Sequence, residues 1–131
     1  MKRTTLLHAE LSEVIARLGH GDLLVIGDAG LPIPDGPRRI DLAVSANVPR
    51  LQDVLAAVLA EMQVESAVIA DELASANPAV NSELLRQLGF TPVARLAHEQ
   101  FKAVTRGARA IVRTGECSPY ANVILRAGVV F

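Results

Sequence analysis

Leu7, Leu11, Val14, Ile15 and Leu18 recur at helical spacing and are followed by Gly19, a helix stop, so an amphipathic helix is expected over residues 5–18. His20 comes directly after it. Leu23 to Ile26 is uninterruptedly apolar between Gly21 and Gly27, the pattern of a short strand buried on both faces, with Asp28 at its carboxyl end. The loop over residues 30–38 carries Pro32, Pro34 and Pro37, which fix φ and remove backbone donors, making it a stiff wall. Ile40, Leu42 and Val44 alternate like a strand. Pro49 then marks a helix start, and Leu51, Val54, Leu55, Val58, Leu59 and Met62 form the clearest helical stripe in the chain.

Farther along, Val64 to Ala70 reads as a strand, Pro78 to Leu88 as a helix ended by Gly89, and Pro92 to Leu96 as a short extended piece. His98 to Arg106 is expected to be helical and Ala110 to Arg113 extended, with a β-rich tail over residues 122–131 broken by Gly128. Strands alternating with helices imply an α/β fold: a three-layer sandwich with a largely parallel or mixed central sheet, as one domain over residues 1–131. An apolar last strand is a hazard as a free edge. Pairing with another subunit would cover it.

Composition narrows the partners. Hydrophobic residues make up 50% against 21% charged, enough to leave apolar surface after one core is filled, which favours an oligomer. The formal charge is −1, with Lys and Arg scattered rather than striped, and Phe90, Phe101, Tyr120 and Phe131 are too few for base stacking, so no nucleic acid is expected. Cys117 is the single cysteine, which excludes an intrachain disulfide and a Cys-based metal cluster. His8, Glu10 and Ser12 interrupt any signal-like stretch near the start, and no apolar run reaches the roughly 20 residues of a membrane span. A cytoplasmic location without membrane contact is the expectation.

Candidate chemistry starts with His20 between two glycines in Gly19-His20-Gly21-Asp22. An accessible imidazole can give and take protons at neutral pH, or it can simply cap the preceding helix. Asp28 lies where open α/β sheets gather ligands, or serves a tight Asp-Ala-Gly turn. His98 and Lys102 share one helical face with Glu99 nearby, a ligand-binding cluster or a solvated face. His8 has no partner at metal spacing and is given no role. Glu116-Cys117-Ser118-Pro119-Tyr120-Ala121-Asn122 crowds hydroxyl, amide and carboxyl groups into one loop, a composition suited to a polyol. Phosphate-binding glycine loops and a Gly-x-Ser-x-Gly elbow are absent.

Together the stretches Arg17 to Asp22, Asp28 to Pro34, His98 to Lys102 and Gly115 to Asn122 resemble those of the D-ribose pyranase family, in order and along the whole chain. The resemblance implies interconversion of the pyranose and furanose forms of free D-ribose without a cofactor or metal. It implies His20 as the acid/base group, with Asp28, His98, Tyr120, Ala121 and Asn122 binding the sugar and Lys102 as a possible further contact. It also implies a homo-oligomeric ring, a homodecamer, with sites between adjacent subunits. The related fucose mutarotase branch shares the Gly-His-Gly-Asp and Gly-Glu-Cys motifs, while Leu31 to Pro34 and Ser118 to Asn122 look like the pyranase version. Between Phe90 and His98 the chain is shorter than some members. A fucose-type mutarotase and a non-catalytic sugar-binding module remain the alternatives.

Overall fold

The computed structural model describes residues 1–131. In chain order the elements are α1 (Ala9–Arg17), β1 (Leu23–Gly27), β2 (Arg38–Asp41), α2 (Leu51–Leu59), β3 (Val64–Ala70) and α3 (Leu73–Ala76). They continue with α4 (Pro78–Leu88), β4 (Val93–Leu96), α5 (His98–Thr105), β5 (Ala110–Arg113) and β6 (Val123–Ala127). The six strands form one sheet in the order β2-β5-β1-β6-β3-β4. β2, β5 and β1 run parallel, as do β3 and β4, whereas β6 is antiparallel to both of its neighbours, so the sheet is mixed.

Alternation along the central strands divides the core in two. Leu24 and Ile26 of β1, with Val123 and Leu125 of β6, pack with α1, α2, α3 and α4 around Leu11, Val54, Leu55, Val58, Leu73 and Leu84. Val25, Ile124 and Ile111 face the other side, where Phe101 of α5, Leu31 and Ala108 cover them. The sandwich is therefore lopsided, with four helices on one face and α5 plus the Leu31 loop on the other. No helix is long and apolar enough to cross a membrane.

The β-rich tail differs from its sequence expectation. β6 ends at Ala127 and lies in the middle of the sheet between β1 and β3, so it is no free edge. Its neighbours are buried hydrophobic strands, which is why its own residues are apolar. The edges are β2 and β4, blunted by Arg38, Arg39 and Asp41 on one side and Arg95 on the other. Apolar surface does remain: Phe90, Val44, Val130 and Phe131 are exposed.

Smaller differences have local causes. α1 starts at Ala9 rather than near residue 5, because the His8 Nδ1 accepts from the Leu11 N–H at 3.2 Å and makes His8 the N-cap. β2 stops at Asp41, whose carboxylate accepts from the Ala43 N–H and turns the chain, leaving Leu42 and Val44 outside it.

Candidate active site

In the parallel part of the sheet, the carboxyl ends of β1, β3, β4 and β5 lie together, and antiparallel β6 begins at that same end. Asp28 follows β1, His98 follows β4 by one residue of linker, and Tyr120-Ala121-Asn122 leads into β6. The topology thus collects every expected sugar-binding residue at one end of the sheet, where ligand crevices form in such folds.

Asp28 is held from two sides. Its Oδ1 accepts from the Gly30 N–H at 2.9 Å and its Oδ2 from the Asn122 Nδ2 at 3.0 Å. The Asn122 Oδ1 in turn accepts from the Asp28 N–H at 2.8 Å. Burial pushes the Asp28 carboxyl above the usual Asp range, against hydrogen bonds from Gly30, Asn122 and Leu31 and the nearby His98 charge. Gly27 makes this embrace possible, since a Cβ there would lie 3.0 Å from the Asn122 Oδ1 and 2.6 Å from the Leu31 Cδ2.

His98 opens α5, and its N–H donates to both oxygens of Glu72, at 3.2 and 2.9 Å, so a residue after β3 fixes where the helix begins. Its ring meets Tyr120 edge-on, with centroids 5.1 Å apart, and lies parallel to Phe101 at 6.2 Å. The His98 Nδ1 is buried without a partner. Tyr120 sits in left-handed backbone at φ 57°, which swings its ring toward His98. A ligand at this end would meet a carboxylate, an imidazole and a phenol.

The loop before β6 spends more of its polar groups internally than its composition suggests. The Glu116 Oε2 accepts from the Leu51 N–H at 3.0 Å, capping α2, and its Oε1 accepts from the Ser118 hydroxyl at 2.6 Å. The Asn77 Nδ2 donates to the Ser118 Oγ and the Pro119 carbonyl. Asn122 and Ala121 are fully buried, so the role visible for Asn122 is to orient Asp28. Lys102, a turn farther along α5, pairs with Glu99 at 2.7 Å and faces Pro32, Ile33 and Pro34 across a groove of about 340 Å³. No group of three or more His, Cys, Asp or Glu is arranged to hold a metal ion.

Gly115 carries this loop past residues 45–49. Its N–H donates to the Pro49 carbonyl at 2.8 Å, and a Cβ would stand 2.6 Å from the Ser45 carbonyl oxygen. Both are backbone contacts that cannot step aside. Gly115→Ala is expected to cost about 1–3 kcal/mol, read as a lower urea midpoint with unchanged slope; an unchanged midpoint would show that the loop yields freely.

His20 lies at the other end. It precedes β1 whereas Asp28 follows it, and five residues of strand separate the two by about 17 Å at ~3.3 Å per residue. The Gly19-His20-Gly21-Asp22 turn is built by Asp22, whose Oδ2 accepts from the Gly19 N–H at 2.8 Å and whose Oδ1 accepts from the Arg109 Nε at 3.0 Å. These two bonds, Gly19 first, hold the Asp22 carboxyl below the usual range. The turn is stitched to the end of β6 by Gly21 N–H to Ala127 O and Ala127 N–H to Asp22 O, both 2.8 Å. His20 itself projects outward, its Nε2 2.9 Å from the Glu65 carboxylate. One chain therefore joins Asp28, His98 and Tyr120 but leaves His20 apart from them.

Glu65 and Glu72 stand outside every motif of the sequence, because their partners lie 45 and 26 residues away, and the α2 partner of Glu116, whose loop composition points to a polyol, lies 65 residues away. No local spacing signals such pairs.

Comparison with known proteins agrees with this architecture. The D-ribose pyranase of Symbiobacterium thermophilum is 60% identical over 131 residues and that of Paracidovorax citrulli 63% over 133, each alignment covering all of both chains. The structure of Bacillus subtilis RbsD complexed with D-ribose superposes with a TM-score of 0.97 at 43% identity, covering both chains fully. The fucose mutarotase of Streptococcus pneumoniae, solved with L-fucose, matches with a TM-score of 0.82 at 26% identity, over 95% of this chain and 94% of that one. The model of the RbsD / FucU transport protein family matches residues 1–130, and this chain belongs to that family.

Proposed function

We propose that this chain is an isomerase that interconverts the pyranose and furanose forms of free D-ribose. The observation that carries the reading is full-length identity of 60–63% to D-ribose pyranases, joined to a TM-score of 0.97 with a ribose complex. Likeness to the fucose mutarotase is weaker on both measures. D-ribose is accordingly favoured over L-fucose.

Opening an aldose ring takes a proton from the anomeric hydroxyl and delivers one to the ring oxygen; closing through another hydroxyl changes the ring size. One imidazole reaching both oxygens can relay both protons. In this reading His20 is that group, Asp28 and the His98 ring bind sugar hydroxyls, and the Tyr120 hydroxyl adds a third contact. Asn122 and Ala121 shape the wall behind Asp28, and Lys102 reaches the site's margin.

Because β1 separates His20 from Asp28, His20 acts on sugar held by a neighbouring copy of the chain. The exposed Val130 and Phe131 next to β6 support such an assembly. A ring of identical contacts places one complete site at each interface. A cytoplasmic location fits an enzyme acting on free intracellular ribose.

Saturation-transfer NMR on ribose and fucose side by side tests the reading. Faster exchange between ribopyranose and ribofuranose signals is expected, with fucose accelerated less. Ribose binding without faster exchange would point instead to a non-catalytic sugar-binding module, and preference for fucose would reassign the substrate.

A further inference from the structure

His20 carries one hydrogen-bonded carboxylate, and that carboxylate sits where the sheet is irregular. Along β3 and β6, Val64 pairs with Ala127 but Ser66 pairs with Arg126, so Glu65 is the extra residue of a register slip. Slips of this kind re-aim a side chain, and they are common beside active sites. Continuing the register of Ser66 with Arg126, Ala67 with Leu125 and Val68 with Ile124 would set Glu65 opposite Ala127. Displaced, it meets two partners with a single oxygen: the Glu65 Oε2 is 2.9 Å from the His20 Nε2 and 3.7 Å from the Arg126 Nε.

The surroundings leave room for this arrangement and no rival to it. Gly21 has φ +85°, and a Cβ there would come within 3.2 Å of the Arg126 guanidinium. A Cβ on Gly128 would come within 3.2 Å of the Glu65 Cβ. Asp22, the other acid of the turn, is committed to the Gly19 N–H and Arg109. Glu65 alone is left to hold the imidazole.

We propose that Glu65 is a positioning residue for His20, fixing the hydrogen on Nε2 and so assigning the proton relay to Nδ1. An ionised carboxylate only accepts, so the nitrogen bound to it carries the hydrogen and the other ring nitrogen keeps the free lone pair. The Arg126 guanidinium, its Nε 3.7 Å from the Glu65 Oε2, adds a favourable charge beside it. The same division of labour, a carboxylate on one ring nitrogen and chemistry on the other, orients catalytic histidines elsewhere. The inference rests on His20 being the acid/base group.

The test uses the intact protein and the variants Glu65→Ala, Glu65→Gln and His20→Ala. There are three histidines, so long-range proton–nitrogen spectra of the imidazoles resolve them, and His20→Ala assigns the signal. Wild-type His20 is expected as the Nε2–H form, and Glu65→Ala as a mixture of the two neutral forms. Ring exchange should fall about tenfold in Glu65→Ala, a fraction of what general acid–base catalysis supplies, with ribose affinity unchanged. Glu65→Gln, isosteric and still an acceptor, should recover part of the rate. A wild-type rate in Glu65→Ala, an Nδ1–H form in the wild type, or a loss of ribose affinity that accounts for the whole defect would each overturn the proposal. A wild-type rate in His20→Ala would instead remove the functional reading beneath it.

Discussion

Replacing His20 with Ala is expected to remove the acceleration of ribose ring exchange, a loss of about 10²- to 10⁴-fold, or roughly 3–5 kcal/mol of barrier. Ribose binding should persist, because Asp28, His98 and Tyr120 sit at the far end of β1. Exchange NMR measures the first effect and the ribose-dependent rise in melting temperature the second. An undiminished exchange rate would sink the assignment. Subunit mixing then tests where the site is: His20→Ala and Asp28→Ala chains, each inactive alone, are refolded together. Roughly a quarter of random head-to-tail interfaces at equal mixing pair an intact histidine with an intact Asp28 cluster, so activity should return. A site made within one chain would stay dead in every mixture.

That prediction depends on a feature the residue order conceals. His20 and Asp28 are eight positions apart in the sequence and frame the same strand, which invites the reading of one local site. A strand is extended, however, and short separation along it is long separation in space. Conversely, Asp28 and Asn122 are 94 positions apart and exchange two hydrogen bonds. That contact exists because β6 runs antiparallel to β1 and starts where β1 ends.

Elements with strong periodicity or firm punctuation were legible. Pro at the start and Gly at the end bracket α4, and β3 and β5 are uninterrupted by breakers, so their limits match the expectation residue for residue. α3 has four residues, too few for a helical period to show. The central place of β6 was hidden because a buried strand and an exposed apolar edge share one composition, and only pairing tells them apart. For the loop before β6, polar density points to a recognition surface, yet Glu116, Ser118 and Asn77 mostly satisfy one another and the α2 terminus. Composition counts donors and acceptors without saying who takes them.

The pairing of Asp28 with Asn122 carries the largest expected effect on stability. Asn122 is fully buried, and its Nδ2 is the donor that lets the Asp28 Oδ2 remain unprotonated in a partly dry place. Asn122→Asp keeps the shape and the bond from the Asp28 N–H but sets oxygen against oxygen at the 3.0 Å contact. Two carboxylates so placed share one proton, and a second charge there costs about 2–4 kcal/mol. The sign with pH follows from direction alone. The Asp28 carboxyl is already raised by burial, so the folded state binds more protons than the unfolded chain above the ordinary Asp value of about 3.9. The variant extends that window upward, so its stability falls further behind the wild type as pH rises. At low pH both states hold their protons, and an O–H can replace the lost N–H donor. Denaturant midpoints at about pH 4 and pH 8 should therefore differ little from the wild type at the first and strongly at the second. An equal deficit at both would mean that Asn122 matters for packing rather than for the charge of Asp28.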